Sequence, residues 1–413
     1  MAGVLPISRT PGRNALVFIF ITVLIDMIGL GIIIPVLPQL IMDLTGLPLP
    51  RAALWGGALA TLYAFMQFVF APVVGNLSDR FGRRPVLLFS LAGFSLDYLI
   101  MGLAPVLWVL FAGRALSGVF GATYTTAGAF IADISPADKR GANFGLIGAA
   151  FGLGFIIGPV IGGLLGNIDH RWPFFAAAAL GFMNLAYGAI VLPETLTEEN
   201  RRPFRLFSSN PFNTVLQMRR FPIVFGLLGA LALYHLGHTA LPAVWAYYGM
   251  ERYGWSALQV GMSLGVVGFA AAAVQGFLAR KAIPALGAKR AAITGFAIAA
   301  AAYWGYALAP NTAVMYVIIV LGALAGIGGP ALQGIMSNQV PANMQGALAG
   351  ATTSLTSLMT VFGPSLMTVI FYTFSNQEAA VYFPGAPFAL AGVLTVLAVI
   401  IIARVIGRNE VTA

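Results

Sequence analysis

Three ionisable side chains stand inside long apolar runs in the first half of this chain: Asp26 in "VLIDMIGLG", Asp97 in "FSLDYLIMG" and Arg114 in "LFAGRALSG". Between Leu87 and Pro105, Asp97 is the only charged residue. A charge inside a segment long enough to cross a bilayer is costly and marks a functional position by default. Depth follows from the rise of 1.5 Å per helical residue. Counted from Asn14, Pro85 and Pro105, Asp26 and Asp97 lie about 18 Å and Arg114 about 13 Å into their spans. All three fall near the middle of a ~30 Å hydrocarbon core. Two carboxylates and one guanidinium leave a surplus negative charge if all are ionised. One acid can pair with Arg114 and stay charged. The other, desolvated and beside a like charge, gains affinity for a proton. That is the requirement for coupling to a proton gradient. The "DMIGLG" setting of Asp26 is less polar than that of Asp97, which is flanked by Ser95 and Tyr98, so Asp26 is the expected carrier. A structural ion pair with a spare hydrogen-bonded acid is the competing reading.

The elements that hold these residues at one depth must be membrane helices. Of 413 residues, 59% are apolar and only 8% charged, with a mean hydropathy of +0.89, whereas a soluble domain is about 25% charged. Hydropathy and Gly/Pro punctuation predict twelve spans, at 14–43, 52–76, 85–104, 106–132, 141–166, 172–192, 221–249, 256–280, 288–308, 311–338, 345–374 and 386–406. With both termini cytoplasmic, eighteen Lys/Arg fall in inside segments and only Arg51, Arg171 and Arg252 in outside loops. That is a decisive positive-inside bias. The net charge of +9 is therefore topology facing anionic headgroups, and nucleic acid is not needed to explain it. The run 16–44 lacks a small-residue cleavage site, so the first span is expected to be retained. There is no cysteine, which excludes disulfides, thiolate metal sites and cysteine nucleophiles. No HExxH, GxSxG or comparable set appears, so the chain is expected to be neither an enzyme nor a metalloprotein.

The polar stretch 193–219 divides six spans from six. This gives an expected organisation of an N-terminal bundle (1–192), a cytoplasmic linker and a C-terminal bundle (220–413). A shift of 205 residues superposes Gly82 on Gly287, Pro136 on Pro341, Gly141 on Gly346 and Gly158-Pro159 on Gly363-Pro364, and sets Asp133 against Asn338. Shared punctuation at one offset indicates duplicated halves, which fits a transporter with its site between them. Two segments carry motifs. The loop 75–84 reads "GNLSDRFGRR", with Gly75, Asp79, Arg80, Gly82, Arg83 and Arg84. Its glycine permits a tight turn, and its Asp79 can pair with a neighbouring arginine as a latch. Asp133 and Arg140, near the same face, read as parts of that gate. In the fifth span Gly145, Gly154, Gly158, Pro159 and Gly162 form a small-residue stripe, which permits close helix approach and a proline kink.

These motifs resemble the major facilitator superfamily, whose signature loop is Gly-x-x-x-Asp-Arg-x-Gly-Arg-Arg/Lys and whose antiporter motif is similar to the fifth-span stripe. "DMIGLGIIIPVLP", "LSDRFGRRPVLLFSLAGFSLDYL", "GLGFIIGPVIGG" and "PALQGIMSNQV" resemble the tetracycline-efflux branch of drug/proton antiporters over residues 15–375. The resemblance implies an all-α fold of two pseudo-symmetric six-helix bundles in the bacterial cytoplasmic membrane, functional as a monomer and without a cofactor. Its partners would be protons and an amphipathic small molecule. It also assigns Asp26, Asp97 and Arg114 to coupling and substrate handling. Export of an endogenous lipid-like or aromatic metabolite, or symport or uniport on the same fold, are the alternatives.

In the second half no acid lies inside a span. The titratable groups there are His235 and His238, on one helix face at i, i+3. With Tyr234, Trp245, Gln275 and Gln333 they are the substrate-site candidates. The branch carries a histidine in the eighth span and acids in the ninth where this chain reads Ala271, Gly295 and Ala299, so a less polar substrate face is expected.

Overall fold

In a bilayer every backbone polar group must be satisfied within its own segment, and helices are the solution available to an open chain. The computed structural model describes residues 13–121, 123–135, 140–201, 215–376 and 378–408, and among these every regular element is helical. Eleven segments are long and apolar enough to cross a membrane; the remaining span is the shorter apolar helix Leu107–Phe120, continued by Thr123–Ile134. All twelve expected spans are thus present. Several overshoot the hydropathy estimate: the second runs over Leu49–Phe81 and the eleventh over Gln345–Ser375. Helix continues into the polar ends because Arg80 and Gln345 satisfy helical geometry as readily as apolar residues do. The linker is described only to residue 201 and from residue 215.

Five of the described spans are interrupted. The first breaks between Arg13–Ile33 and Leu37–Thr45, and the fourth at Gly121. The seventh breaks at Thr239, whose hydroxyl donates to the Leu236 carbonyl at 2.6 Å. The tenth tightens to 3-10 geometry over Ala323–Ile327. The eighth carries a π-turn over Val274–Leu278, which includes Gln275. Such interruptions free backbone groups at depth and gather at working sites.

The second and fifth spans meet the eleventh and eighth along a seam at one end of the molecule. A side chain added at Gly57 would strike Thr368, one at Gly56 would strike Tyr247, and one at Gly163 would lie 2.7 Å from the Ala257 carbonyl oxygen. The hydroxyls of Thr61 and Ser365 share a hydrogen bond of 2.7 Å across this seam. Toward the arginine-rich end the same four helices part. Additions at Gly75, Gly148, Gly152, Gly276 or Gly346 would meet nothing within 4 Å. The molecule is closed at one end and open at the arginine-rich end.

Tyr248 and Trp245 belong to the packed interior of the second half. Trp245 is 1% exposed, donates its indole N–H to Ser263 Oγ at 2.9 Å, and packs against Trp255, Tyr306 and Phe388. Its expected place in a substrate site is corrected accordingly: a buried indole with a satisfied N–H is core.

Candidate functional site

Asp26 opens onto a cavity of about 310 Å³ lined also by Val23, Met27, Leu30, Tyr63, Gln67, Phe94, Gly121 and Phe151. Its carboxylate has no hydrogen bond or ion pair to a described side chain. The break in the fourth span is what shapes this cavity. Gln67 of the second span donates its amide to the freed Gly121 carbonyl at 2.9 Å and touches the Tyr63 hydroxyl at 3.3 Å. Tyr63 in turn lies under Arg114, whose guanidinium carbon is 5.8 Å from the ring centroid. Arg114 is almost fully buried and donates to the Met101 sulfur at 3.2 Å. It also lines a second cavity of about 130 Å³, shared between the halves with Leu30, Gly56, Ala246 and Tyr247.

Asp97 is completely buried, and among the described residues neither of its carboxylate oxygens has a hydrogen-bond partner. Its Oδ1 lies where a side chain at Gly113 would sit, 2.7 Å from that position, so glycine there admits the carboxylate beside Arg114. Tyr98 Oη, Ser117 Oγ and Arg114 Nε are unpartnered as well. Among the described residues no ion pair within 4 Å joins either acid to Arg114. The three residues expected to share a depth do share a neighbourhood, but the expected direct pairing is absent in this arrangement. A cluster of buried, unpaired polar groups is expensive to maintain.

At the arginine-rich end Arg83 is the hub. Its guanidinium donates to Asp79, to Asp133 Oδ2 at 3.0 Å and to Ser78 Oγ at 3.0 Å. Sequence reading missed the fourth party, Glu194, directly after the sixth span. Its carboxylate accepts from the backbone N–H of Arg83 at 2.8 Å and of Arg84 at 3.2 Å, capping the third span. Gly82 has φ +108° and the Glu194 carboxylate occupies the space of its missing side chain, so only glycine fits this turn. Arg84 donates to the Ala189 carbonyl at 2.7 Å, and Arg80 lies over the Phe81 ring. A side chain added at Gly75 would enter open space. The Arg140 side chain lies outside the described residues. Replacing Arg83 with alanine would strip charge-assisted bonds from two partly exposed acids and is expected to cost about 1–3 kcal/mol. Lysine, a point charge without the planar fork, should recover only part of that loss. Thermal unfolding of both variants in detergent checks this.

The fifth-span stripe faces two ways. Gly154 and Gly158 press on the first span, where added side chains would lie 2.5 Å from Met27 Cβ and from the Ile28 carbonyl oxygen; Gly162 presses on Ile32. Pro159 meets Gly31 within the half and Gly261 across the seam. Gly145 faces open space and makes no such contact.

In the second half His238 Nδ1 is 2.9 Å from Tyr303 Oη, and Tyr234 stacks on His238 while meeting Phe296 edge-on. His235 adjoins the same Tyr234 ring. Gln275 lies elsewhere, in a cavity of about 360 Å³ with Arg280, Ile283, Pro284 and Pro330. Gln333 is exposed on the tenth span. Neither glutamine lines the Asp26 cavity. Among the described residues no group of three or more His, Cys, Asp or Glu could hold a metal ion.

The family model described as Major Facilitator Superfamily matches residues 19–364. The chain is 44% identical to tetracycline resistance protein class C of Escherichia coli, covering 87% of this chain and 90% of that protein. It is 39% identical to the class B protein of Escherichia coli, with 84% and 86% covered. It is 28% identical to multidrug resistance protein 2 of Bacillus subtilis (strain 168), with 87% and 89% covered. Among solved structures, a bacterial homolog of the lysosomal transporter Spinster superposes with a TM-score of 0.75 at 18% identity, covering 98% of each chain. The human organic anion transporter MFSD10 gives 0.70 at 22%, covering 95% of this chain and all of that one.

Proposed function

The chain belongs to the major facilitator superfamily, and from that premise we propose that it is a proton-coupled antiporter exporting an amphipathic drug of the tetracycline type. The observation that carries the reading is Asp26, a carboxylate without a hydrogen-bond or ion-pair partner among the described side chains, in an otherwise largely apolar cavity. Relatives named for tetracycline resistance at 39–44% identity support the substrate class. The arginine-rich end is the cytoplasmic one, as the positive-inside bias requires, and the structure is then inward-open.

The cycle follows from electrostatics. Facing the cell interior, Asp26 loses its proton, and the resulting carboxylate attracts the polar edge of the substrate while Phe94, Phe151 and Met27 receive its apolar body. Closure at the Arg83 end and parting of the seam carry the substrate across. Reprotonation from the acidic exterior removes the charge that held it, and the substrate leaves. Asp97 and Arg114 stay buried and offset one another's charge. Residues 1–192 and 220–413 act as the two rocking bodies, with the linker between them. One chain contains both bodies, so a monomer suffices. No cofactor takes part: the proton gradient supplies the energy.

The less polar positions Ala271, Gly295 and Ala299 predict a broader tolerance than the tetracycline relatives have. The deciding experiment is transport in proteoliposomes with an imposed pH gradient and labelled tetracycline. The substrate should move against the direction of proton flow. Movement in the same direction as protons would make the chain a symporter.

A further inference from the structure

The two halves treat the same turn differently. In the first half the arginines at the open end face built-in acids: Arg83 meets Asp79 and Asp133, and Glu194 caps the helix that follows. At the repeat offset of 205 residues, Asp79 corresponds to Pro284 and Asp133 to Asn338. Of the first-half cations only Arg84 has a basic counterpart at that offset, Lys289, yet the second-half turn carries four cations of its own. Arg280 and Lys281 lie on the last helix of the eighth span, Ala279–Leu286, and Lys289 and Arg290 in the first turn of the ninth, Ala288–Leu308. The two helices are separated only by Gly287, at φ +75°. None of the four forms an ion pair among the described residues.

The shortage of acid at this end extends across the half. Glu251 and Glu378 lie at the closed end, and Glu410, the one other acid of residues 220–413, lies outside the described residues. A single acid cannot neutralise Arg280, Lys281, Lys289 and Arg290 together with Arg404. Moreover, Lys289 and Arg290 stand at the positive end of the ninth-span helix dipole, where cations are disfavoured and an anion is favoured. On the eighth span, a cavity of about 360 Å³ is lined by Arg280 and Gln275 together with the apolar residues Ala279, Ile283, Pro284 and Pro330. Phe277 and Leu286 next to it are exposed. Charge toward the headgroup layer with apolar surface below it complements one ligand class, a phospholipid with an anionic headgroup.

We propose that the turn at Gly287 is a binding site for an anionic phospholipid, whose phosphate supplies the negative charge that acids supply at the first-half turn. Arg280, Lys281, Lys289 and Arg290 bind the phosphate, and the exposed Phe277, further into the span, receives the acyl chain.

The test uses the purified full chain in mixed micelles of phosphatidylglycerol and phosphatidylcholine, with retained lipid counted by native mass spectrometry. Wild type should retain phosphatidylglycerol over phosphatidylcholine. The variant R280Q/K281Q/K289Q/R290Q should lose at least about tenfold in that preference, and the charge-retaining R280K/K281R/K289R/R290K should keep it. Should the fourfold variant fail to fold, K289Q/R290Q should still lose most of the preference. The control R219Q/R220Q should lose none. Equal retention by the glutamine variants and wild type would overturn the site. An equal loss in R219Q/R220Q would overturn it too, since binding would then be diffuse charge. Displacement of the lipid by millimolar inorganic phosphate would show a free-anion site instead.

Discussion

Replacing Asp26 with asparagine is expected to abolish proton-driven export while leaving the folded protein intact. The substitution preserves shape but removes the exchangeable proton. It breaks no hydrogen bond or ion pair to a described side chain, because Asp26 makes none, so the usual cost of orphaning a partner does not arise. One unit of pH gradient stores about 1.4 kcal/mol per proton, enough for roughly tenfold accumulation of substrate at one proton per molecule. Wild-type proteoliposomes should approach that limit, and Asp26→Asn should show no gradient-driven accumulation. Counterflow exchange, which needs no net proton movement, should survive in the variant at higher substrate concentrations, because the neutral amide holds the substrate less tightly than the carboxylate. Asp97→Asn behaves differently. It leaves the buried Arg114 without a compensating charge, and so should lower the melting temperature as well as export.

A side chain added at Gly261 is expected to shift the whole molecule toward its other state. A Cβ there would press on the Pro159 carbonyl and lie 3.2 Å from the Gly163 Cα, and backbone cannot step aside as a flexible side chain can. Overpacking of this kind costs about 1–3 kcal/mol. Applied to one state only, that is roughly a 5–150-fold change in a two-state equilibrium. Gly261→Val should therefore open the seam and close the arginine-rich end, and substrate export should fall at least about fivefold. The chain has no cysteine, so spin labels on Gly148→Cys and Gly276→Cys report a single distance. That distance should be long in the parent and shorter in Gly261→Val. An unchanged distance would mean that the seam is not the moving contact.

The periodic, strongly apolar spans were legible because a bilayer leaves the backbone no alternative to helix. The Gly/Pro punctuation likewise announced the repeat. Asp26, Asp97 and Arg114 stood out because charge at depth is rare. What stayed hidden is what charge cannot advertise. Gln67 and Tyr63 are uncharged, and their importance arises from the break at Gly121, where a carbonyl needs a donor. Glu194 sits in an ordinary polar loop and matters only because the fold returns the sixth span to Gly82. Trp245 misled for the opposite reason: an indole in an aromatic-rich span looks like a lining residue, yet the partner of its N–H, Ser263, lies in the next span. The direct pairing of an acid with Arg114 failed as an expectation because spacing along a helix sets depth and not side-chain direction.

The central claim is that proton and substrate compete through Asp26. The direct measurement is proton release on tetracycline binding, followed with a pH indicator in weakly buffered detergent solution. Wild-type protein prepared where Asp26 is partly protonated should release protons as tetracycline binds, and Asp26→Asn, which resembles the protonated acid, should bind tetracycline more weakly and with no release. Proton release from Asp26→Asn equal to that of wild type would contradict the account and move the coupling site elsewhere.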